Sequence, residues 1–118
     1  MVDNRKKLRA YLKNYRMWQG QARDIERSIA SGKVPEPLRD ELMKVRNDFI
    51  HKCRNVQTII GYSKSELERR ILNLSYVDGK SMKQIAREVG YSYGYCGNIE
   101  SRAINRMSAD TAIMSLLG

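Results

Sequence analysis

Apolar residues in the first half of the chain recur at alternating spacings of three and four, which is the period of one helix face. The first run should end near Ser31 and Gly32, because glycine readily takes the left-handed conformation that closes a helix. Pro35 and Pro37 then prevent easy continuation. The pattern predicts two long helices with seams at Leu8, Tyr11, Tyr15, Trp18, Ala22, Ile25 and Ile29 and at Leu38, Leu42, Val45, Phe49, Val56 and Ile59.

These helices predict an antiparallel hairpin over residues 1–61, with arms of about 24 residues that reach roughly 36 Å. A two-helix hairpin has too little core to stand alone, so its seams must pack on the C-terminal half or on another chain. Tyr11, Tyr15 and Trp18 follow the helical period, which favours packing over a base-stacking surface. The long first seam predicts a homodimer or small homo-oligomer, which a charged residue at Trp18 should dissociate.

Shorter helices are predicted for residues 62–118. Ser63 and Glu66 stand at the spacing of a capping box and predict the start of a third helix. The Asp78-Gly79 turn ends that helix. Its apolar stripe is formed by Leu67, Ile71 and Leu74.

A short helix and a longer one follow, separated by a glycine turn. Ser81 and Gln84 predict the start of the short helix, Gly90 its end, and Ser92 the cap of the longer helix. Short helix, turn and longer helix are the parts of a helix-turn-helix. The buried sides are predicted to be Met82, Ile85, Ala86 and Val89 in the short helix and Cys96, Ile99, Ala103 and Met107 in the longer one.

The C-terminal tail, residues 108–118, also carries apolar side chains, which is unusual for a free terminus. Ser108 or Asp110 should cap a last short helix, and Ile113, Leu116 and Leu117 should dock on the hairpin or on a second chain. The predicted fold is therefore all-α, with an N-terminal antiparallel helical hairpin in residues 1–61. A helix-turn-helix module with a short C-terminal helix follows in residues 62–118.

The outer face of the longer helix is small and polar instead of charged. It carries Gly94 and Gly97, although each interior glycine costs about 1 kcal/mol relative to alanine. Close approach to DNA would explain both glycines, with the Asn98 amide at an adenine edge. In the alternative interpretation the glycines are tolerated and the tyrosines are core. The residues predicted to contact DNA are Lys80, Ser81, Lys83, Ser92, Tyr93, Gly94, Tyr95, Gly97, Asn98, Ser101, Arg102 and Asn105.

The net charge of the chain also favours nucleic acid as the partner. The chain has 22 Lys and Arg against 13 Asp and Glu, a net charge of +9, which favours a polyanion such as nucleic acid. Residues 1–60 hold 14 basic and 7 acidic side chains, whereas residues 61–118 hold 8 and 6. Much of the attraction for phosphate must then come from the first half, including Arg5, Lys6, Lys7 and Arg9. That cluster is either a DNA-contacting arm or a solvated helix end.

The sequence does not show the residues expected for a metal site, an enzyme or a membrane protein. Cys53 and Cys96 lie far apart in the sequence with no second Cys or His at ligand spacing, and His51 is the single histidine, so a metal site is not expected; each cysteine is expected to be a small buried thiol. No carboxylate pair, Cys/His couple or phosphate loop suggests an enzyme, and no cofactor is expected. Apolar runs are only a few residues long, which predicts a cytoplasmic protein with no membrane partner.

The segment LSYVDGKSMKQIAREVGYSYGYCGNIESRAINRM resembles the C-terminal promoter-reading region of bacterial sigma factors. It is more similar to small phage and prophage proteins that join a helical half to this module and share Tyr91-Ser92-Tyr93. Relatives of the RinA and ArpU type are regarded as activators of late phage genes. The positions that match the sigma pattern are Gly79, Ser81, Ile85, Ala86, Ser92, Arg102 and Ala103.

The resemblance implies a phage-encoded, sequence-specific transcription regulator that binds double-stranded DNA and inserts the helix 93–107 in the major groove. Host RNA polymerase is a further candidate partner. Two alternatives stay open: a sigma-like protein that binds RNA polymerase, and the small terminase subunit of a phage packaging motor.

Overall fold

The computed structural model describes residues 3–118, and all regular secondary structure in that range is helical. The predicted all-α class is therefore confirmed. None of the helices in that range combines the length and apolarity needed to cross a lipid bilayer. The helices are α1 (Asn4–Lys13), α2 (Tyr15–Ala30), α3 (Glu36–Gly61), α4 (Glu66–Leu72), a π-helical turn (Asn73–Val77), α5 (Met82–Val89), α6 (Tyr93–Ser108) and α7 (Thr111–Ser115).

The predicted first helix is divided at Asn14, so the prediction of one long helix is wrong. The backbone N–H of Asn14 bonds back to the carbonyls of Leu12 and Tyr11, which tightens the last turn of α1. Asparagine is a weak helix former, so a break is cheap at this position. As a result α2 packs along α3, whereas α1 packs against α6. This division brings the N-terminal basic residues to the C-terminal half of the chain.

The connection between α2 and α3 follows the predicted turn signals. Gly32 has a φ of +73°, in the left-handed region where glycine is favoured, and α3 begins directly after Pro35. The seam of α3 is buried only in its second half, at Val56 and Ile59. In its first half Leu38 and Val45 are 51% and 46% exposed. Part of the predicted seam therefore has no partner within residues 3–118.

One core joins both halves of the chain, and Trp18 lies in it with 7% exposure. Tyr11 packs edge-on against Trp18, with the ring centroids 4.8 Å apart, which confirms the packing interpretation of these aromatics. A charge at Trp18 would therefore disrupt the chain's own core and would not test self-association. This core contains Leu8, Leu12, Tyr15, Trp18, Val56, Ile59, Ile60, Leu72, Tyr76, Ala103, Ile104, Met107 and Ile113.

A second, smaller core holds α5 against α4 and α6. Ile71, Leu74, Ile85 and Cys96 are its buried members, and Ile99 packs against it. Cys96 is fully buried, and burial raises the pKa of its thiol. This agrees with the prediction that it is a small core residue.

Most of the predicted caps are confirmed, with one correction. The Ser81 hydroxyl and the Gln84 side chain form a complete capping box, Gly90 closes α5 with a φ of +78°, and the Ser92 hydroxyl accepts from the backbone of α6. The helix after α3, however, is capped by Ser65, which accepts from the backbone N–H of Glu68. The Ser63 hydroxyl instead donates to the carbonyl of Ile60. The shift arises because α3 continues to Gly61 and the chain needs the next residues to turn.

The tail docks on its own chain. Asp110 caps α7, Ile113 is 3% exposed, and Leu116 and Leu117 pack against the larger core. The Asn55 side chain of α3 donates to the carbonyl of Leu116 at 3.0 Å. Of the two predicted docking partners, the chain's own helices are thus the ones in contact.

Candidate nucleic-acid interface

The outer face of α6 is exposed along its length. Tyr93 and Tyr95 are 60% and 46% exposed, so the interpretation that these tyrosines are core is wrong. Gly97 is half-buried, whereas the other residues of this face are exposed. We call this surface, made of Tyr93, Gly94, Gly97, Asn98, Ser101, Arg102 and Asn105, the α6 face.

The two glycines of the α6 face have no packing role within the chain. A Cβ atom added at Gly94 or Gly97 would meet nothing within 4 Å, apart from the backbone of the helix itself. Both have ordinary helical backbone conformations, since neither has a positive φ. Glycine at these positions therefore weakens the helix with no compensation from a contact among residues 3–118.

Aromatic and basic side chains gather at the N-terminal end of α6. Tyr91 and Tyr95 lie with their ring centroids 5.1 Å apart. Lys64, Tyr95 and Arg102 line a small cleft of about 180 Å³ beside α4. Lys64 is a basic residue of this surface that the sequence analysis did not identify.

Helix α1 brings basic side chains to the other end of the α6 face. The Arg9 guanidinium donates to the Glu100 carboxylate at 2.6 Å and lies 3.5 Å from the Ser101 hydroxyl. Arg5 donates to the side-chain oxygen of Asn105 at 3.5 Å. Two members of the N-terminal basic cluster, Arg5 and Arg9, therefore contact residues of the α6 face directly, whereas Lys6 and Lys7 are exposed.

A buried carboxylate fixes this contact. The Glu100 side chain is only 10% exposed, and its second oxygen accepts from the Tyr76 hydroxyl at 2.8 Å. Burial and the neighbouring carboxylate raise the pKa of the Tyr76 phenol above its usual value, so it stays a donor. The hydrogen bond to Glu100 also raises the pKa of Arg9. The network holds α1 and the π turn against the middle of α6.

No family model, curated protein or solved structure matches the chain. An assignment of function therefore depends on the geometry of this surface.

The residues outside α6 that were predicted to contact DNA differ in whether their side chains already bond to other parts of the chain. Ser81 and Ser92 use their hydroxyls to cap α5 and α6. Lys80 pairs with Glu88 along α5, which leaves its ammonium partly neutralised. Lys83 is exposed, and no ion pair within residues 3–118 involves it. Both lysines were predicted to contact DNA, and Lys83 is the one whose charge is not paired within residues 3–118.

Two further cations, which were not predicted from the sequence, add to the basic side chains of α1. Lys13 and Arg16 line a cleft together with Arg9. With Arg5 they form a series at spacings of four, four and three, which places four cations on one side of α1 and the start of α2. This spacing in the sequence could have identified them. We call Arg5, Arg9, Lys13 and Arg16 the basic row.

Proposed function

We propose that this protein is a DNA-binding transcription regulator, encoded by a phage, in which α5 and α6 act as a helix-turn-helix and α6 enters the major groove. In this proposal residues 62–118 read the DNA, while residues 1–61 add phosphate contacts and self-association. The observation that carries it is the exposed α6 face, whose two glycines have no packing role in the chain.

The dimensions of α6 support this placement. Its 16 residues give a length of about 24 Å, and the major groove is about 12 Å wide, enough to admit a helix. Without side chains at Gly94 and Gly97 the helix backbone can approach the base edges. The exposed Asn98 amide then offers a donor and an acceptor at once, the pattern that adenine presents in the major groove.

The distribution of charge also supports it. The C-terminal half has little net charge, but Arg5 and Arg9 of α1 lie against Asn105 and Ser101 of the α6 face. A helix in the major groove has phosphate backbones on both sides, so cations beside it neutralise phosphates. Arg9 is paired with Glu100 and Arg5 with Asp3, so in this proposal the attraction for a duplex also depends on Lys13 and Arg16, which form no ion pair among residues 3–118.

Selection from a random duplex pool by the immobilised protein tests the proposal. We expect one sequence to be enriched, bound with an affinity that falls steeply as salt is raised. Asn98→Ala should weaken that binding by about 1–3 kcal/mol and relax the preference at one base pair. Asn47→Ala, an exposed asparagine of α3, is the matched control and should change neither.

Other results of that experiment would redirect the assignment. Absence of enrichment together with an affinity that is flat in salt would contradict DNA reading. Retention of RNA polymerase without DNA would favour the polymerase-binding alternative, in which the exposed Tyr91, Tyr93 and Tyr95 are the contact surface.

The exposed half of the α3 seam is proposed to bind a second copy of the chain. Leu38 and Val45 lie two turns apart on one stripe and are about half exposed. The double variant Leu38→Glu and Val45→Glu should convert a dimer to a monomer in sedimentation, with a lower melting temperature because a second copy no longer stabilises the folded chain. Tyr62→Glu, at a tyrosine with 55% exposure outside this stripe, is the control.

A wild-type protein that is monomeric at every concentration would rule this interface out. A large ring would instead favour the small terminase subunit.

A further inference from the structure

A cleft of about 330 Å³ opens between the N-terminal helices and the turn that leads into α5. Arg9, Lys13 and Arg16 reach it from α1 and α2, whereas Ser75 and Gly79 belong to the π turn and the segment that follows. Three cations share this cleft, and their mutual repulsion favours the binding of an anion.

Glu100 compensates only one of these cations. Its carboxylate already accepts from Arg9 and from the Tyr76 hydroxyl and is nearly buried. Within residues 3–118, neither Lys13 nor Arg16 forms an ion pair with a carboxylate. The cleft thus keeps two uncompensated positive charges beside a carboxylate that is neutralised.

The guanidinium of Arg16 lies close to the backbone at Gly79. Gly79 has a φ of +69°, and a Cβ atom at this residue would overlap that guanidinium. Glycine therefore leaves room for Arg16 beside this turn, and an added Cβ would displace the exposed side chain from this position.

We propose that this cleft binds one phosphate group, with Arg16 and Lys13 as the cations that contact it. A guanidinium matches phosphate oxygens in a two-point hydrogen bond, and lysine adds a mobile charge. Met82, the first residue of α5, also lines the cleft. The phosphate has two possible sources, the DNA backbone and a small phosphate-bearing molecule.

The position of the cleft explains how DNA would reach it. Arg9 lines the cleft and also lies 3.5 Å from Ser101 of the α6 face. A strand that flanks the groove occupied by α6 therefore passes the cleft. For DNA as the source, the inference rests on the proposed function and adds the residues that take one backbone phosphate.

The first arm of the test measures binding of the selected duplex over a series of salt concentrations. Lys13→Gln with Arg16→Gln should reduce the slope of log affinity against log salt by about 0.9, the value for one phosphate. Arg23→Gln with Lys33→Gln removes the same charge from exposed sites in α2 and the α2–α3 connection and should leave the slope unchanged. Melting temperatures verify that all variants are folded.

The second arm uses inorganic phosphate without DNA. In the wild-type protein phosphate should shift the NMR signals of the Gly79 amide and the Arg16 side chain, and the Lys13 and Arg16 variant should lose the Gly79 shift.

The two arms together decide the source. A reduced slope alone assigns the cleft to the DNA backbone, and a phosphate response alone assigns it to a small ligand. A normal slope with no phosphate response overturns the inference. If the wild-type protein binds no DNA, the proposed function fails, and the phosphate arm still decides whether the cleft binds phosphate.

Discussion

Replacing both Gly94 and Gly97 by alanine is expected to make the protein more stable and to weaken its binding to DNA. Neither methyl group meets another part of the chain, so the gain should approach about 1 kcal/mol at Gly97 in the helix interior and be smaller at Gly94, the second residue of α6. On DNA the same methyl groups would hold the helix backbone away from the base edges. We expect a loss in affinity of about tenfold or more, which corresponds to about 1.4 kcal/mol.

Gly20→Ala is the matched control for this pair. Gly20 also lies inside a helix, α2, and a Cβ atom there meets nothing within 4 Å. It should raise the free energy of unfolding in urea by a similar amount per residue without any effect on DNA binding. Unchanged affinity in the Gly94 and Gly97 double variant would show that the α6 face does not approach DNA closely.

Replacing Arg106 by methionine is expected to destabilise the protein by about 3 kcal/mol. The Glu68 side chain of α4 is 2% exposed, and both of its oxygens accept from the Arg106 guanidinium. Without Arg106 the buried carboxylate would lose the one ion pair that it forms among residues 3–118. The ion pair also ties α4 to α6, so its loss should loosen the support behind the α6 face.

A second variant shows whether the loss comes from the unpaired charge. Adding Glu68→Gln to Arg106→Met removes that charge, and the double variant should be more stable than Arg106→Met alone. Arg102→Met, one turn earlier on α6 and exposed, should cost less than 1 kcal/mol in the same urea titration. Equal stability of the single and double variants would mean that Glu68 is not held as a charged partner.

Local chemistry explains what could be predicted from the sequence. The starts of α5 and α6 depend on Ser81, Gln84 and Ser92, and the end of α5 depends on Gly90, so each signal acts within a few residues of its effect. The exposed side of α6 followed from the helical period for the same reason.

Long-range partners explain what could not be predicted. Glu68 and Glu100 are acidic residues on helices that no local pattern marks as buried, because their arginine partners stand 38 and 91 residues away. The break at Asn14 lets α1 pack on α6, a contact between residues far apart in the sequence that no local pattern predicts. Lys13 and Arg16 could be assigned to the cleft only once that packing was known.

The contact between α1 and α6 also determines when, during synthesis, this part of the folded surface can form. Arg9 meets its partner 91 residues later in the chain, and the Asn4 amide meets the carbonyl of Ser108, 104 residues later. At about 5–20 residues per second, α1 emerges from the ribosome many seconds before α6 exists. Helices α2 and α3 can pair in that interval, but the basic row cannot join the α6 face. Chains that stop early therefore lack the contact between α1 and α6, and under the proposed function they would not compete with complete copies for DNA.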